Sequence, residues 1–240
     1  MMRQMTNDDL RTLYHFAAPI WRECYHKMLP AGQIDRLTHM YFDYPNVLRF
    51  QQEGMQYYYV VHHKKIAGFV VYMETPEFVY LDKLYLLKEY RGMHLSSLII
   101  HHLEKYFLPI RLNVNKKNVP AIKAYEANGF KQIGTEITEL SGGYRNDDYI
   151  LERLPPFCSL PNIGGEVAQQ LLNAGVQDYL QLKALGAEQA WLKIQQVDKT
   201  VCVNRLMALE GAIHGIKKGR ISDERKAELK AFYAEHKINP

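Results

Sequence analysis

Apolar positions recur every three to four residues through the first fifty residues of the chain. They do so in "DDLRTLYHFAAPIWRECYHKML", where Pro19 interrupts the pattern, in "PAGQIDRLTHMYF" and in "PNVLRFQQEG". This spacing predicts three helical pieces. The period then changes to two. "YYYVVHHKKIAGFVVYME" reads as a hairpin turning at residues 62–65, and "FVYLDKLYLL" as a further strand. Helical spacing returns at Leu95, Leu98, Ile99, His102, Leu103 and Tyr106, predicting a helix over 95–107 that Pro109 ends. "IRLNVN" is a short strand. Asn118 caps a helix with Pro120 in its first turn and Gly129 at its end. "FKQIGTEITEL" and "YRNDDYILERL" then pair across Ser141, Gly142 and Gly143.

The pattern changes again at "PPFCSLPNIGG", a linker by its prolines and glycines. Beyond it the spacing is helical over 165–173, 179–185, 187–196, 203–215 and 223–236, with Gly175, Gly186 and Gly219 as stops. The expected organisation is an α+β domain over 1–153, a linker over 154–158 and a small all-α domain over 159–240.

Composition adds limits. A chain of 240 residues can hold two modest cores, and 47% apolar with 23% charged residues is ordinary for a globular protein. The net charge of +4 neither demands nor excludes nucleic acid. Cys24, Cys158 and Cys202 are odd in number and form no CxxC, and no apolar signal segment follows "MMRQMTNDDL". Reduced thiols and a cytoplasmic location are therefore expected. No run approaches the ~18 apolar residues of a membrane span. His15, His26, His39, His62, His63, His101, His102 and His214 show no ligand spacing with carboxylates or thiols, so no metal is expected.

The candidate chemistry lies in two stretches. "LDKLYLLKEYRGMHLSS" is a strand delivering its end to a helix N-terminus. Free N–H groups there favour an anion, Arg91 adds a charge, and Ser96 and Ser97 add hydroxyl donors. Alone, this is either a phosphate cradle or a plain strand–helix turn. In the second stretch, "NKKNVPAIKAYEANGF", Asn118, Ala121, Tyr125, Gly129 and Phe130 stand in the order N-x-x-A-x-x-x-Y-x-x-x-G-F. That order resembles motif B of the GNAT family of acetyl-CoA-dependent N-acetyltransferases. The loop resembles their motif A, R/Q-x-x-G-x-G/A, with Arg91 matching the leading residue. His94 stands at the first glycine and Ser96 at the second position. A glycine there lets backbone approach a phosphate without a Cβ in the way. The ring of His94 either stays outside or meets a phosphate as a cation.

The resemblance spans roughly residues 1–153. It implies a mixed, mostly antiparallel sheet flanked by helices, acetyl-CoA as co-substrate, and direct acetyl transfer to a small amine, polyamine or amino-terminal substrate. It also implies that acetyl-CoA lies between strands 83–87 and 110–113, held by Leu84, Tyr85 and Leu86. The loop Arg91, Gly92, Met93, His94, Leu95, Ser96 and Ser97 would contact it too, with Asn113, Asn118 and Ala121. Tyr125 would protonate the leaving thiolate, since a phenol is a donor at neutral pH. Asp82 and Glu74 are candidate bases for the incoming amine. Asp147 and Asp148 either attract a cationic substrate or end a turn. "IWRECYHKMLPAGQID" resembles the substrate-side helices of PaiA-type polyamine acetyltransferases, and Trp21 and Tyr25 share a helix face there. They either wall an amine pocket or pack between helices.

In the second domain, "SLPNIGGEVAQQLLNAG" resembles a helix-hairpin-helix element, within a stretch similar to the C-terminal domain of TfoX (Sxy)-type proteins. That family is linked to competence regulation. A helix-hairpin-helix would hold a DNA phosphate on Ile163, Gly164 and Gly165. Residues 155–240 carry 11 Lys and Arg against 9 Asp and Glu, and Glu166 flanks the hairpin. A protein-contact or dimerising module is thus expected before a weak DNA contact. The alternative to an enzyme is a regulator in which a degenerate GNAT fold senses acetyl-CoA and the helical domain contacts DNA or protein.

Overall fold

A computed structural model describes residues 2–238. The chain divides into two compact units, Met1–Arg153 and Leu154–Pro240.

The first unit opens with a strand the periodicity does not reveal. β1 (Met2–Gln4) has only three residues and pairs with β2 (Gln56–His62). Helix α1 (Asn7–Tyr25) starts at a capping box, with Thr6 and Asp9 bonding each other's backbone N–H groups. The expected interruption at Pro19 does not occur. Buried Ala18, Ile20 and Trp21 hold the helix on the core around the one backbone bond that proline cannot make. α2 (Ala31–Phe42) and α3 (Tyr44–Gln52) follow.

β3 (Lys65–Glu74), β4 (Val79–Leu86), β5 (Ile110–Asn115), β6 (Lys131–Leu140) and β7 (Tyr144–Arg153) complete a sheet ordered β1-β2-β3-β4-β5-β7-β6. All neighbours are antiparallel except β4 and β5. A parallel pair needs a crossover, and α4 (Leu95–Leu103) supplies it. A 3₁₀ turn at Glu104–Tyr106 and a left-handed Phe107 finish the segment expected to be helical to 107. α5 (Val119–Ala127) lies between β5 and β6.

The run "FVVY" of β3 is buried on both faces. Phe69 and Val71 meet α1–α3, while Val70 and Tyr72 meet the α4 side. Gly68 permits close approach to β4. A Cβ there would lie 2.1 Å from the Tyr85 carbonyl oxygen and 2.9 Å from Leu86 Cα. Backbone cannot yield as a side-chain tip does. Gly68→Ala is therefore expected to cost about 3 kcal/mol in urea unfolding, and a loss below about 0.5 kcal/mol would show that the strands can separate.

Two further features of β4 place the site. Its register with β3 slips between Val71 and Tyr72, leaving Asp82 as the extra residue. The bulge turns consecutive residues Asp82 and Lys83 toward one side. Second, β4 and β5 pair only at Val79↔Ile110 and Tyr80↔Arg111. Beyond that the strands part.

The second unit is helical: α6 (Gly165–Asn173), α7 (Tyr179–Val197), α8 (Val203–Ile213) and α9 (Asp223–His236). α7 bends at Gly186, whose φ of 75° is not helical. The core gathers around fully buried Trp191 with Leu171, Leu182, Ile194, Leu206, Leu209 and Leu229. Arg225 bonds Glu210, Glu188 and Glu228, tying α9 to α8 and α7.

Candidate active site

A cavity of about 160 Å³ opens where β4 and β5 part. Helices α1 and α2 contribute Trp21, Tyr25, Leu37 and Tyr41. β4 contributes Tyr80, Asp82, Lys83 and Tyr85, and β5 contributes Asn113 and Asn115. The hairpin of β6 and β7 adds Glu136, Thr138, Asn146 and Asp148. The period of two explains that last set, since alternate residues of one strand share a face. Glu136 and Asp148 also stand opposite each other in register.

Trp21 and Tyr25 belong to two settings at once. They pack in the helix layer and they line the cavity. Glu74 does neither. It is exposed at the β3–β4 turn, opposite Val79, and does not line the cavity, so its candidacy as a base ends there. Asp82 lines the cavity, but its Oδ1 accepts from Lys83 Nζ at 2.5 Å. That oxygen is already engaged by the chain's own ammonium.

Asp148 is a cavity carboxyl that binds its proton more tightly than usual. Burial, with the charges of Glu136 and Asp147, pushes it up to about 6. A hydrogen bond from Asn115 and the Lys83 charge act the other way. The sequence offers cation attraction or a turn ending for this residue; the structure places it in the cavity wall with a raised carboxyl.

Tyr25 and Tyr85 line the cavity with Asp148, while Tyr125 does not line it and packs against the core on the α4 side. Tyr25 and Tyr85 share a hydrogen bond at 2.7 Å between their hydroxyls. Burial pushes Tyr25 up to about 12, while bonds with Tyr85 and Asn118 lower it. Tyr85 is raised well above the usual phenol range by burial and by the neighbouring Tyr25 and Tyr125. Tyr125 rises for the same reasons, burial first and Tyr25 second. It packs edge-on against Phe130, with ring centroids 5.4 Å apart. A phenol in this setting holds its proton through the neutral range and so has a proton to donate.

The remaining predicted residues divide between cavity, loop and helix cap. Leu84 and Leu86 send their side chains into the core under α4, while Tyr85 faces the cavity. Beyond Tyr80, the β5-facing edge of β4 has no ladder partner among the described residues. Asn113 donates its amide to Glu136. Asn118 accepts from the Ala121 N–H at 3.3 Å as the cap of α5.

Arg91 does not stand free toward a phosphate. Its two terminal nitrogens bond Glu23 at 2.9 Å each, and Nε bonds the Leu86 carbonyl at 3.0 Å. The motif's leading arginine therefore fastens the loop to α1 and β4. Gly92 is left-handed with φ 78°, and Met93 is 49% exposed. His94, at the glycine position, is also left-handed, with φ 57° and ψ 16°, and its side chain makes no cap bond. Leu95 is buried, and Ser96 and Ser97 lie in the first turn of α4. The substitution keeps the loop's backbone path at the cost of local strain, about 1 kcal/mol for a non-glycine residue. Glycine relieves that strain but loosens the unfolded chain by a similar amount. His94→Gly is thus expected to melt within about 1 kcal/mol of the parent, and His94→Val to lose about 2 kcal/mol. Calorimetric melting checks both, and equal stability of the two variants would mean that the loop relaxes.

The comparisons bear on both units. Residues 14–130 match the model of the acetyltransferase (GNAT) family. The N-terminal unit belongs to the GNAT family. An uncharacterised N-acetyltransferase of Mycobacterium bovis is 32% identical over 98 residues, 38% of this chain and 62% of that protein. The crystal structure of the PaiA N-acetyltransferase from Thermoplasma acidophilum, in complex with coenzyme A, shares the fold of the GNAT unit. Its TM-score is 0.51 at 21% identity, covering 64% of this chain and 98% of that one. Residues 155–233 match the TfoX C-terminal domain. There the Sxy protein of Escherichia coli is 36% identical over 70 residues, 29% of this chain. The chain spans 34% of Sxy and 62% of the mycobacterial relative.

In the TfoX-type unit, the hairpin differs from a free phosphate nest. Ile163 is buried and its N–H donates to the Leu160 carbonyl at 3.3 Å. Asn162 bonds Ile216 and Lys218, and Glu166 pairs with Arg205. No helix among the described residues is long and apolar enough to cross a membrane.

Proposed function

We propose that the GNAT unit transfers the acetyl group of acetyl-CoA to an amine that carries a positive charge. The observation carrying this reading is Asp148, a carboxyl raised to about 6 and facing a cavity at the parting of β4 and β5. The residues present fit the donor. β4 has an unpaired backbone edge for a pantetheine arm, and the first turn of α4 has N–H groups without helical acceptors for the pyrophosphate. Acetyl-CoA supplies an electrophilic thioester carbonyl.

Glu136 and Asp148 draw an ammonium into the cavity. Asp148, unprotonated above about pH 6, takes one proton from it. The freed nitrogen lone pair forms the C–N bond at the carbonyl carbon, and the C–S bond then breaks. Tyr125 gives its phenolic proton to the departing sulfur, and the amide nitrogen loses its second proton to solvent. The acceptor is a small amine, a polyamine or an amino terminus.

The test is thiol release from acetyl-CoA across a panel of such amines, with the product mass measured. An acetylated amine and stoichiometric thiol are expected. Folded protein that binds coenzyme A yet acetylates none of the three classes would overturn the reading. The helical unit, similar to part of Sxy, is proposed as a protein-contact module, because the Ile163 N–H and the Glu166 carboxylate are engaged within the unit and its charge is nearly balanced.

A further inference from the structure

The cavity already contains a cation. Lys83 is only 7% exposed, and its ammonium lies 2.5 Å from Asp82 Oδ1. The same nitrogen stands 3.9 Å from the centre of the Tyr41 ring and 5.9 Å from that of Trp21. A carboxylate with two aromatic faces is an arrangement that binds ammonium groups. Here it is filled by the chain itself, because the bulge at Asp82 turns both neighbours inward.

The cavity consequently has two unlike ends. The Asp82–Lys83 pair is neutral as a whole. Among the described residues, Glu136 and Asp148 have no salt-bridge partner, and Glu136 is met by the Asn113 amide. One ammonium is welcome at the second end. A second ammonium a few carbons away would meet Lys83 instead of an empty box, and like charges in a confined site repel strongly.

We propose that Lys83 sets the charge of the acceptor: by occupying the box of Asp82, Tyr41 and Trp21, it makes the site select amines with one positive charge over diamines and polyamines. The proposal rests on the amine-acetylation reading and narrows its acceptor class. Such selection works by exclusion of the competitor rather than by added attraction for the substrate.

Full-length protein is assayed with alkyl monoamines and α,ω-diamines of matched length. Wild type is expected to favour the monoamine by about tenfold in kcat/KM. Lys83→Met keeps the bulk, removes the charge and frees Asp82. It is expected to shift the diamine-to-monoamine ratio about tenfold toward the diamine, mainly through KM, while Lys83→Arg keeps the wild-type ratio. A wild type that prefers diamines overturns the proposal, and so does an unmoved ratio in folded Lys83→Met. If Lys83→Met does not fold, the wild-type ratio decides. Calorimetric binding of the same amines without acetyl donor separates this inference from the transfer reaction. Monoamine-selective binding relaxed in Lys83→Met supports it even where no amine is acetylated. Binding that ignores charge number, or no binding of any amine, overturns it.

Discussion

Asp148→Asn is expected to lower kcat/KM for amine acetylation by about 10³-fold while making the protein more stable at pH 7. The two effects have one cause. The carboxyl sits at about 6 in the folded chain against an ordinary 3.8, so the folded state binds its proton more tightly than the unfolded state. Stability from this group is complete below about pH 4 and declines as pH rises through about 6. Asparagine cannot ionise and escapes the decline. The gain at pH 7 is at most about 3 kcal/mol, and nearer 1 kcal/mol where cavity water screens the charge. Wild-type kcat/KM should rise with pH to a plateau above about 6, and the variant should lose that limb. Activity that falls without the gain in stability would assign Asp148 a structural role. Retained activity would move the base elsewhere.

Tyr125→Phe is expected to reduce kcat by about 10²-fold with little change in coenzyme A affinity. The ring and its contact with Phe130 survive the change, so packing is kept and only the hydroxyl is lost. Tyr25 and Tyr85 hold two further phenolic protons close by, bonded to each other. Tyr25→Phe is the control, with an expected loss below about tenfold. Equal losses in the two variants would indicate that the phenols act as one group. An unchanged kcat for Tyr125→Phe, with chemistry rate-limiting, would leave Tyr125 as a packing aromatic.

The long elements were legible because each carries one clear period. The strand "IRLNVN" and the helices over 165–173 and 223–236 follow their patterns residue by residue. β1 was not legible, since three residues establish no period. The helix through Pro19 was misread because the local cost of proline is outweighed by buried neighbours on both sides. In the site, motif spacing pointed to the loop and to Tyr125, but not to the charged groups of the cavity. Asp82 and Lys83 are adjacent, and strict alternation would send them to opposite faces. Only the bulge, which depends on pairing with β3, brings them together. Asp148 became recognisable once the register set it opposite Glu136, a partner twelve residues away in sequence. Arg91 fits the motif by identity, yet its partner Glu23 lies on a helix no local pattern connects to it.

The two residue pairs joining β4 to β5 make that seam the weakest line across the sheet. On one side lie four strands carrying Asp82, Lys83 and Tyr85. On the other lie three carrying Asn113, Glu136 and Asp148. The two halves are arranged as leaves of a book whose spine is short, with Gln33 and Arg36 of α2 bonded to the hairpin leaf. Amides bordering the opening should exchange with solvent far faster than those inside either leaf. A change of a few degrees in the angle between leaves alters the spacing of Lys83 and Asp148 without breaking a ladder bond. A molecule laid along the open edges would act as the missing rungs and fix that angle.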